Sequence, residues 1–204
     1  RNALYLAERF GIHAPVARGA DAPLVGTAGE PPTFVHGGNG LGDIALPQTL
    51  VRTADSRPAY RMIIDLVRAS PGEITVVAVG RMTNLALALR EDPEIAGLVK
   101  QVVIMGGAFG IGGVLGNVTP AAEANIWGDP LAADEVTGAA WPLVMVGLDV
   151  TQKTRMPTPY LRAIANELAG AVINDLSLTT GQEVILLVNG FGGTPLQELY
   201  LMVN

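Results

Sequence analysis

Ile74-Thr75-Val76-Val77-Ala78-Val79 decides the fold. The run is of strand length and almost unbroken in β-branched residues, the texture of a strand buried on both faces of a parallel sheet. Gly80 closes it, and the chain then repeats the rhythm. Thr83-Asn84 supplies a cap for a helix through Leu89, and Asp92-Pro93 supplies a cap and a first-turn proline for a helix ending near Lys100. Val102 to Met105 is the next strand, stopped by Gly106-Gly107. A glycine-rich loop runs to Gly116, Asp129-Pro130 opens another helix, and Leu143 to Val146 is a third strand with Gly147-Leu148-Asp149 at its carboxyl end. Toward the amino end, Ser56 and Pro58 near the first turn, with Tyr60, Ile63, Ile64, Leu66 and Val67, predict a helix closed by Ser70-Pro71-Gly72. Ala3, Leu4, Leu6, Ala7 and Phe10 predict a helix stopped at Gly11, Ala14-Pro15-Val16-Ala17 a short strand, and residues 21–48 mostly loop. Toward the carboxyl end, Thr158-Pro159 opens a long amphipathic helix and Val184 to Val188 has strand length. Alternating strands and helices argue for an α/β fold, a mostly parallel central sheet flanked by helices. In such sheets the ligand sits beyond the carboxyl ends of the strands, here Val79-Gly80, Met105-Gly106 and residues 147–149.

Composition bounds the function. The chain has 204 residues, 49% of them hydrophobic and 16% charged, which excludes disorder and supplies one large core. Lys+Arg 13 against Asp+Glu 19 leaves a net charge of −6, with no basic surplus to neutralise a phosphate backbone, so nucleic acid is not an expected partner. The absence of Cys removes disulfides, thiolate metal sites and thiol nucleophiles together. A bound metal is thus expected to take oxygen or imidazole ligands, and with His13 and His36 the only imidazoles a histidine-built zinc site is not expected. No apolar run approaches the roughly 18 residues that span a bilayer, so no membrane is expected, and the lack of Cys and of a signal peptide is compatible with the cytoplasm. Arg1-Asn2-Ala3-Leu4 reads as the inside of a helix, and we expect the chain to begin partway through a longer protein.

Three segments collect polar side chains among glycines: His36-Gly37-Gly38-Asn39-Gly40, Met105-Gly106-Gly107, and the stretch from Gly116 to Asn125. Glycine lets backbone approach a ligand, while Asn and Glu offer the mixed donors and acceptors that a neutral polyol such as ribose requires. The competing reading makes Asn117 and Asn125 turn and cap residues and Glu123 a solvated helix acid. His36 follows Phe34-Val35, which places it at a strand end or loop start, where an imidazole can donate a proton or serve structure. Gly40-Leu41-Gly42-Asp43-Ile44-Ala45 spells a degenerate dinucleotide fingerprint without a preceding buried strand or a following helix. The loop after Met105 lacks the Lys-Ser/Thr ending of a phosphate loop.

Taken in order, several motifs resemble those of the inosine-uridine-preferring nucleoside hydrolases. They are Arg1-Asn2-Ala3, His36-Gly37 with Asn39-Gly40-Leu41-Gly42, Val79-Gly80-Arg81-Met82-Thr83-Asn84-Leu85-Ala86, Val103-Ile104-Met105-Gly106-Gly107, Gly116-Asn117-Val118-Thr119-Pro120-Ala121-Ala122-Glu123, Asn125-Ile126 with Asp129-Pro130, and Met145-Val146-Gly147-Leu148-Asp149-Val150-Thr151. The resemblance covers essentially the whole chain and implies a Rossmann-like open sheet in a single domain over residues 1–204, incomplete at both ends. It implies hydrolysis of the N-glycosidic bond of a ribonucleoside to ribose and free base, in purine or pyrimidine salvage. It also implies a calcium ion that chelates the ribose 2′ and 3′ hydroxyls and orients the attacking water, and a homodimer or homotetramer. On the family pattern Asn117, Glu123 and Asn125 grip the ribose, Met105 lines the pocket, His36 lies beside the base, and Val79 offers its backbone carbonyl to calcium.

The chain also departs from that pattern. The family's amino-terminal Asp-x-Asp-x-Gly-x-Asp-Asp motif is absent from this sequence, as expected of a chain that starts beyond it. The carboxyl-side His-Asp pair aligns with Gln197-Glu198, where Glu198 can still ligate calcium, whereas Gln197 can hydrogen-bond to a leaving base but not protonate it. Ala124 stands where many relatives carry an aromatic. Two further readings compete with the enzyme: a nucleoside- or ribose-binding relative without catalysis, and a structural α/β segment with no ligand.

Overall fold

The structure is a computed structural model that describes residues 1–155, 157–160, 163, 184–188 and 199–203. The chain groups into two units, one of Arg1–Pro31 with Leu46–Thr151 and one of Pro32–Ala45 with Gln152–Asn204.

The first unit opens with α1 (Asn2–Arg9), whose end is wound down through Gly11 at a φ of +62° with the Ile12 amide donating to the Ala7 carbonyl at 2.8 Å. This is the left-handed stop expected of a glycine after a helix. β1 (Ala17–Arg18) pairs in parallel with β2 (Asp55–Pro58). The expected helix start at Ser56 is therefore corrected. Pro58 forces Arg57 toward an extended backbone and itself sits at ψ 153°, so the helix α3 (Ala59–Ala69) begins one residue after the proline.

The sheet expected from the valine-rich runs consists of β3 (Thr75–Ala78), β4 (Gln101–Met105) and β5 (Leu143–Val146), all parallel, in the order β3-β4-β5. The crossovers carry α4 (Thr83–Glu91) and α5 (Ile95–Leu98), then α6 (Ala124–Gly128) and α7 (Pro130–Gly138). Val102 and Ile104 of β4 are fully buried against Ile64 and Val67 of α3, Leu85 and Ala88 of α4, Ile95 of α5, and Ala132 and Val136 of α7. Burial on both faces, expected for the run from Ile74 to Val79, does not hold. Val77 is 63% and Val79 74% exposed, because among the described residues β3 is bonded to β4 alone and the helices pack on the face that carries Val102 and Ile104.

Thr83 and Asn84 are not caps. The hydroxyl of Thr83 donates to Asp129 Oδ2 at 2.6 Å, and Asn84 Oδ1 accepts from the Ala20 amide at 2.9 Å, so both side chains tie α4 to distant chain. Asp129-Pro130 behaves as expected: Asp129 Oδ1 accepts from the Ala132 amide at 3.1 Å and the proline occupies the first turn of α7. A four-residue helix, α8 (Leu148–Thr151), follows β5.

In the second unit, residues Phe34 and Val35 belong to one helical turn, α2 (Thr33–His36), rather than a strand. β6 (Val184–Val188) and β7 (Leu199–Val203) pair antiparallel. The helix expected from Thr158-Pro159 extends outside the described residues, beyond the helical 158–160 and 163. Among the described residues no helix is long and apolar enough to cross a membrane.

Candidate functional site

Four of the predicted binding residues, Met105, Asn117, Glu123 and Asn125, meet at the carboxyl end of β4. Gly106 makes this possible. A Cβ there would lie 3.2 Å from Ile126 Cδ1 and 3.5 Å from Glu123 Oε2, so the bare backbone lets Ile126 of α6 pack closely against the strand end. Glu123 is 3% exposed and caps α6. Its Oε1 accepts from the Asn125 amide at 2.9 Å, and its Oε2 accepts from the amides of Ile126 and Gly107, both at 3.1 Å. Three N–H donors offset the cost of burying this carboxylate. The expectation of a solvated helix acid is thereby corrected.

Asn125 Nδ2 donates to the Met105 carbonyl at 2.9 Å and lies 3.3 Å from the Met105 sulfur. Asn117 Oδ1 accepts from the Ala124 amide at 2.9 Å. Among the described residues Asn117 Nδ2 and Asn125 Oδ1 have no protein partner and are not sealed from solvent. The loop before α6 is folded back on itself. The Gly116 amide donates to the Pro120 carbonyl at 3.0 Å and the Val118 amide to the Ala122 carbonyl at 3.0 Å, and any side chain at Gly116 would meet backbone oxygen at 2.3 Å. The result is a strand end carrying an outward carboxamide donor and an outward carboxamide acceptor.

One contributor was placed at this edge by the sequence, within residues 147–149, but given no role there. Asp149, 2% exposed at the start of α8, accepts from the Phe109 amide through Oδ2 at 2.7 Å and from the Ile111 amide through Oδ1 at 2.6 Å, so it holds the glycine-rich loop after β4. An acid directly after a Gly-Leu strand ending was the available signal, but its partners lie 38 and 40 residues away.

The remaining predicted residues lie elsewhere. Val79 follows β3, exposed at the same carboxyl edge of the sheet. His36, in the second unit, is exposed at the last position of α2, and its carbonyl accepts from the Gly42 amide at 2.8 Å. Asn39 then organises the following turn, Oδ1 accepting from the amides of Leu41 (2.9 Å) and Asp43 (3.0 Å). This glycine segment is a side-chain-stapled turn, not a strand-to-helix dinucleotide loop. Gln197 and Glu198 lie outside the described residues. Among the described residues no three acidic or imidazole side chains converge as a metal group. Two clefts, about 450 Å³ beside Leu4, Val16 and Arg18 and about 360 Å³ beside Leu89, Pro93 and Glu135, share no residue with the network at β4.

Comparison with known proteins adds to this geometry. A family model described as inosine-uridine preferring nucleoside hydrolase matches residues 1–199. Uridine nucleosidase 1 of Arabidopsis thaliana is 44% identical over 167 residues, covering 81% of this chain and 48% of that protein. The inosine-uridine preferring nucleoside hydrolase of Crithidia fasciculata is 41% identical over 169 residues, covering 80% and 51%. Among solved structures, the purine-preferring ribonucleoside hydrolase from Gardnerella vaginalis matches with a TM-score of 0.71 at 31% identity, covering 93% of this chain and 69% of that one. The chain spans about half the length of these two curated relatives.

Proposed function

The chain belongs to the inosine-uridine preferring nucleoside hydrolase family, and on that premise we propose that it serves the hydrolysis of ribonucleosides to ribose and free base. The observation that carries this reading is the pair of outward carboxamide atoms, Asn117 Nδ2 and Asn125 Oδ1, beside the Met105 strand end. A donor and an acceptor suit the vicinal hydroxyls of ribose, each of which both gives and takes a hydrogen bond. Glu123 has about four acceptor positions, three of them filled by amides, which leaves one for a further hydroxyl.

In the reaction, water adds to C1′ as the C1′–N bond breaks, the bonding pair leaves on the base nitrogen, which takes a proton from His36, and the water's proton passes to solvent, from which His36 is reprotonated. Positive charge growing on the ribosyl group is met by carbonyl and carboxamide oxygens already fixed at the sheet edge. His36 is the proton donor of this proposal. Gln197, an amide, contributes a hydrogen bond to the leaving base and no proton.

Calcium is the cofactor we assign to the activity, on the family likeness. When bound it polarises water and chelates sugar hydroxyls. Val79 through its carbonyl and Glu198 through its carboxylate are the candidate ligands in this chain. The described residues alone do not make up a calcium centre, and no step above depends on one. The same reading makes the protein a cytoplasmic salvage enzyme that acts as a homodimer or homotetramer.

The test is release of ribose from inosine and from uridine, with calcium and with chelator. The relatives are named for pyrimidine and purine nucleosides alike, so both substrates belong in it. Asn125→Ala is expected to lower kcat/KM by about 10- to 100-fold, the loss of a hydrogen bond made to the reacting sugar. Tight nucleoside binding without any ribose release would replace the enzyme by a nucleoside-binding relative, the reading that Gln197 in place of the family's histidine favours.

A further inference from the structure

We infer that Phe109 is the surface on which the nucleobase stacks and that Asp149 is the positioning residue that holds it there. The inference rests on the nucleoside reading above and deepens it. Phe109 lies just past β4 with 54% of its surface exposed, although it is a large aromatic next to a well-packed core. Its ring rests against bare backbone at two strand ends. A Cβ built on Gly147, after β5, would lie 2.8 Å from its Cδ2 and Cε2, and one built on Gly107, after β4, would lie 3.4 Å from its Cζ. Neither position has a side chain, so the ring spans the carboxyl ends of both strands, the edge where ligands of such sheets sit.

The loop that carries the ring is fixed. The Asp149 carboxylate takes the amides of Phe109 and Ile111, and the Leu148 amide donates to the Gly107 carbonyl at 2.9 Å. The ring thus meets a ligand already ordered, and little entropy is lost on binding. The ring and the sugar-binding carboxamides also share one support. Gly107 gives its amide to Glu123 and lies under the Phe109 ring, and two residues earlier Met105 gives its carbonyl to Asn125. A flat apolar face and a donor–acceptor pair hung on Met105-Gly106-Gly107 match the two halves of a nucleoside, a flat ring and a polyol joined by one bond. Stacking on an aromatic ring accepts purines and pyrimidines alike, since every base has a π face.

The experiment measures dissociation constants for uridine, inosine and ribose by calorimetry in calcium-containing buffer, for the wild-type chain, Phe109→Ala, Phe109→Trp and Asp149→Asn. Amide exchange of the loop is followed in parallel. Base stacking on an aromatic is worth about 1–3 kcal/mol. Phe109→Ala should therefore weaken both nucleosides by about 5- to 150-fold while ribose affinity stays put, and Phe109→Trp should restore nucleoside binding. Asp149→Asn should weaken nucleosides more than ribose and speed exchange at the amides of Phe109 and Ile111. Nucleoside affinity unchanged in Phe109→Ala, or lost in equal measure for ribose and nucleoside, overturns the inference and leaves the function standing. A wild-type chain that binds neither nucleoside overturns the function and the inference with it. Should Asp149→Asn fail to fold, the Phe109 pair still decides the stacking.

Discussion

Asp129 is 1% exposed, and its carboxylate takes three donors from three parts of the chain: the Leu24 amide at 2.9 Å, the Thr83 hydroxyl at 2.6 Å and the Ala132 amide at 3.1 Å. Cutting it back to a methyl group would strand those donors in a place water reaches poorly, and each orphaned partner of a charged group costs about 1–3 kcal/mol. Asp129→Ala is accordingly expected to lower the unfolding free energy by about 3–5 kcal/mol in urea titrations. A loss under about 1 kcal/mol would show that the three contacts hold nothing together. The sequence shows the cap in Asp129-Pro130, because capping is a matter of three residues. It cannot show Thr83 and Leu24, which lie 46 and 105 residues away. Glu123 and Asp149 teach the same lesson at the site. An acid looks the same in a sequence whether water or three backbone amides surround it, and only packing tells these cases apart.

Among the elements, β2 and α3 are joined by charge. Arg57 donates to both oxygens of Asp55 and, across to α3, to Asp65 at 2.8 Å. The hydrogen bond from the Arg57 guanidinium, followed by that from its backbone amide, holds the Asp55 carboxyl down to about 2, against an ordinary value of 3.8. A carboxyl depressed by folding binds fewer protons in the native chain than in the unfolded one. Its contribution is therefore fully present above pH 3.8 and disappears as the pH falls toward 2. Asp55→Asn should flatten the acid limb of stability between about pH 4 and 2, read from urea midpoints at pH 5, 3 and 2. Parallel losses in variant and wild type would remove this pair from the account. Neither the strand nor the pair is visible in Ser56-Arg57-Pro58, whose proline reads equally well as the first turn of a helix. Pairing with Ala17 and Arg18 settles it as strand.

For the molecule as a whole, the sheet register sets Val77 against Val103 and Val103 against Val144, one apolar row across three strands. The row faces away from the helices that cover Val102 and Ile104, and Val77 and Val144 are 63% and 45% exposed. Among the described residues β3 also has no strand partner on its outer side. An open edge and a bare valine row on one strand favour association with other chains. Sedimentation velocity at rising concentration should show self-association of the chain, and Val77→Lys should shift it toward the monomer. Equal association of the two forms would clear this face of the role.

By itself the sequence determined the three central strands β3, β4 and β5 with helices between them, the glycines that follow those strands, and the family. All three rest on local signals, a hydrophobic period, a cap or a motif, that act over a few neighbouring residues. Tertiary structure alone decided which face of the sheet is covered, which acids are buried, and that Met105, Asn117, Glu123 and Asn125 share one strand end. Those outcomes depend on hydrogen bonds and contacts between distant segments, and such contacts exist only once the helices have packed and brought the segments together.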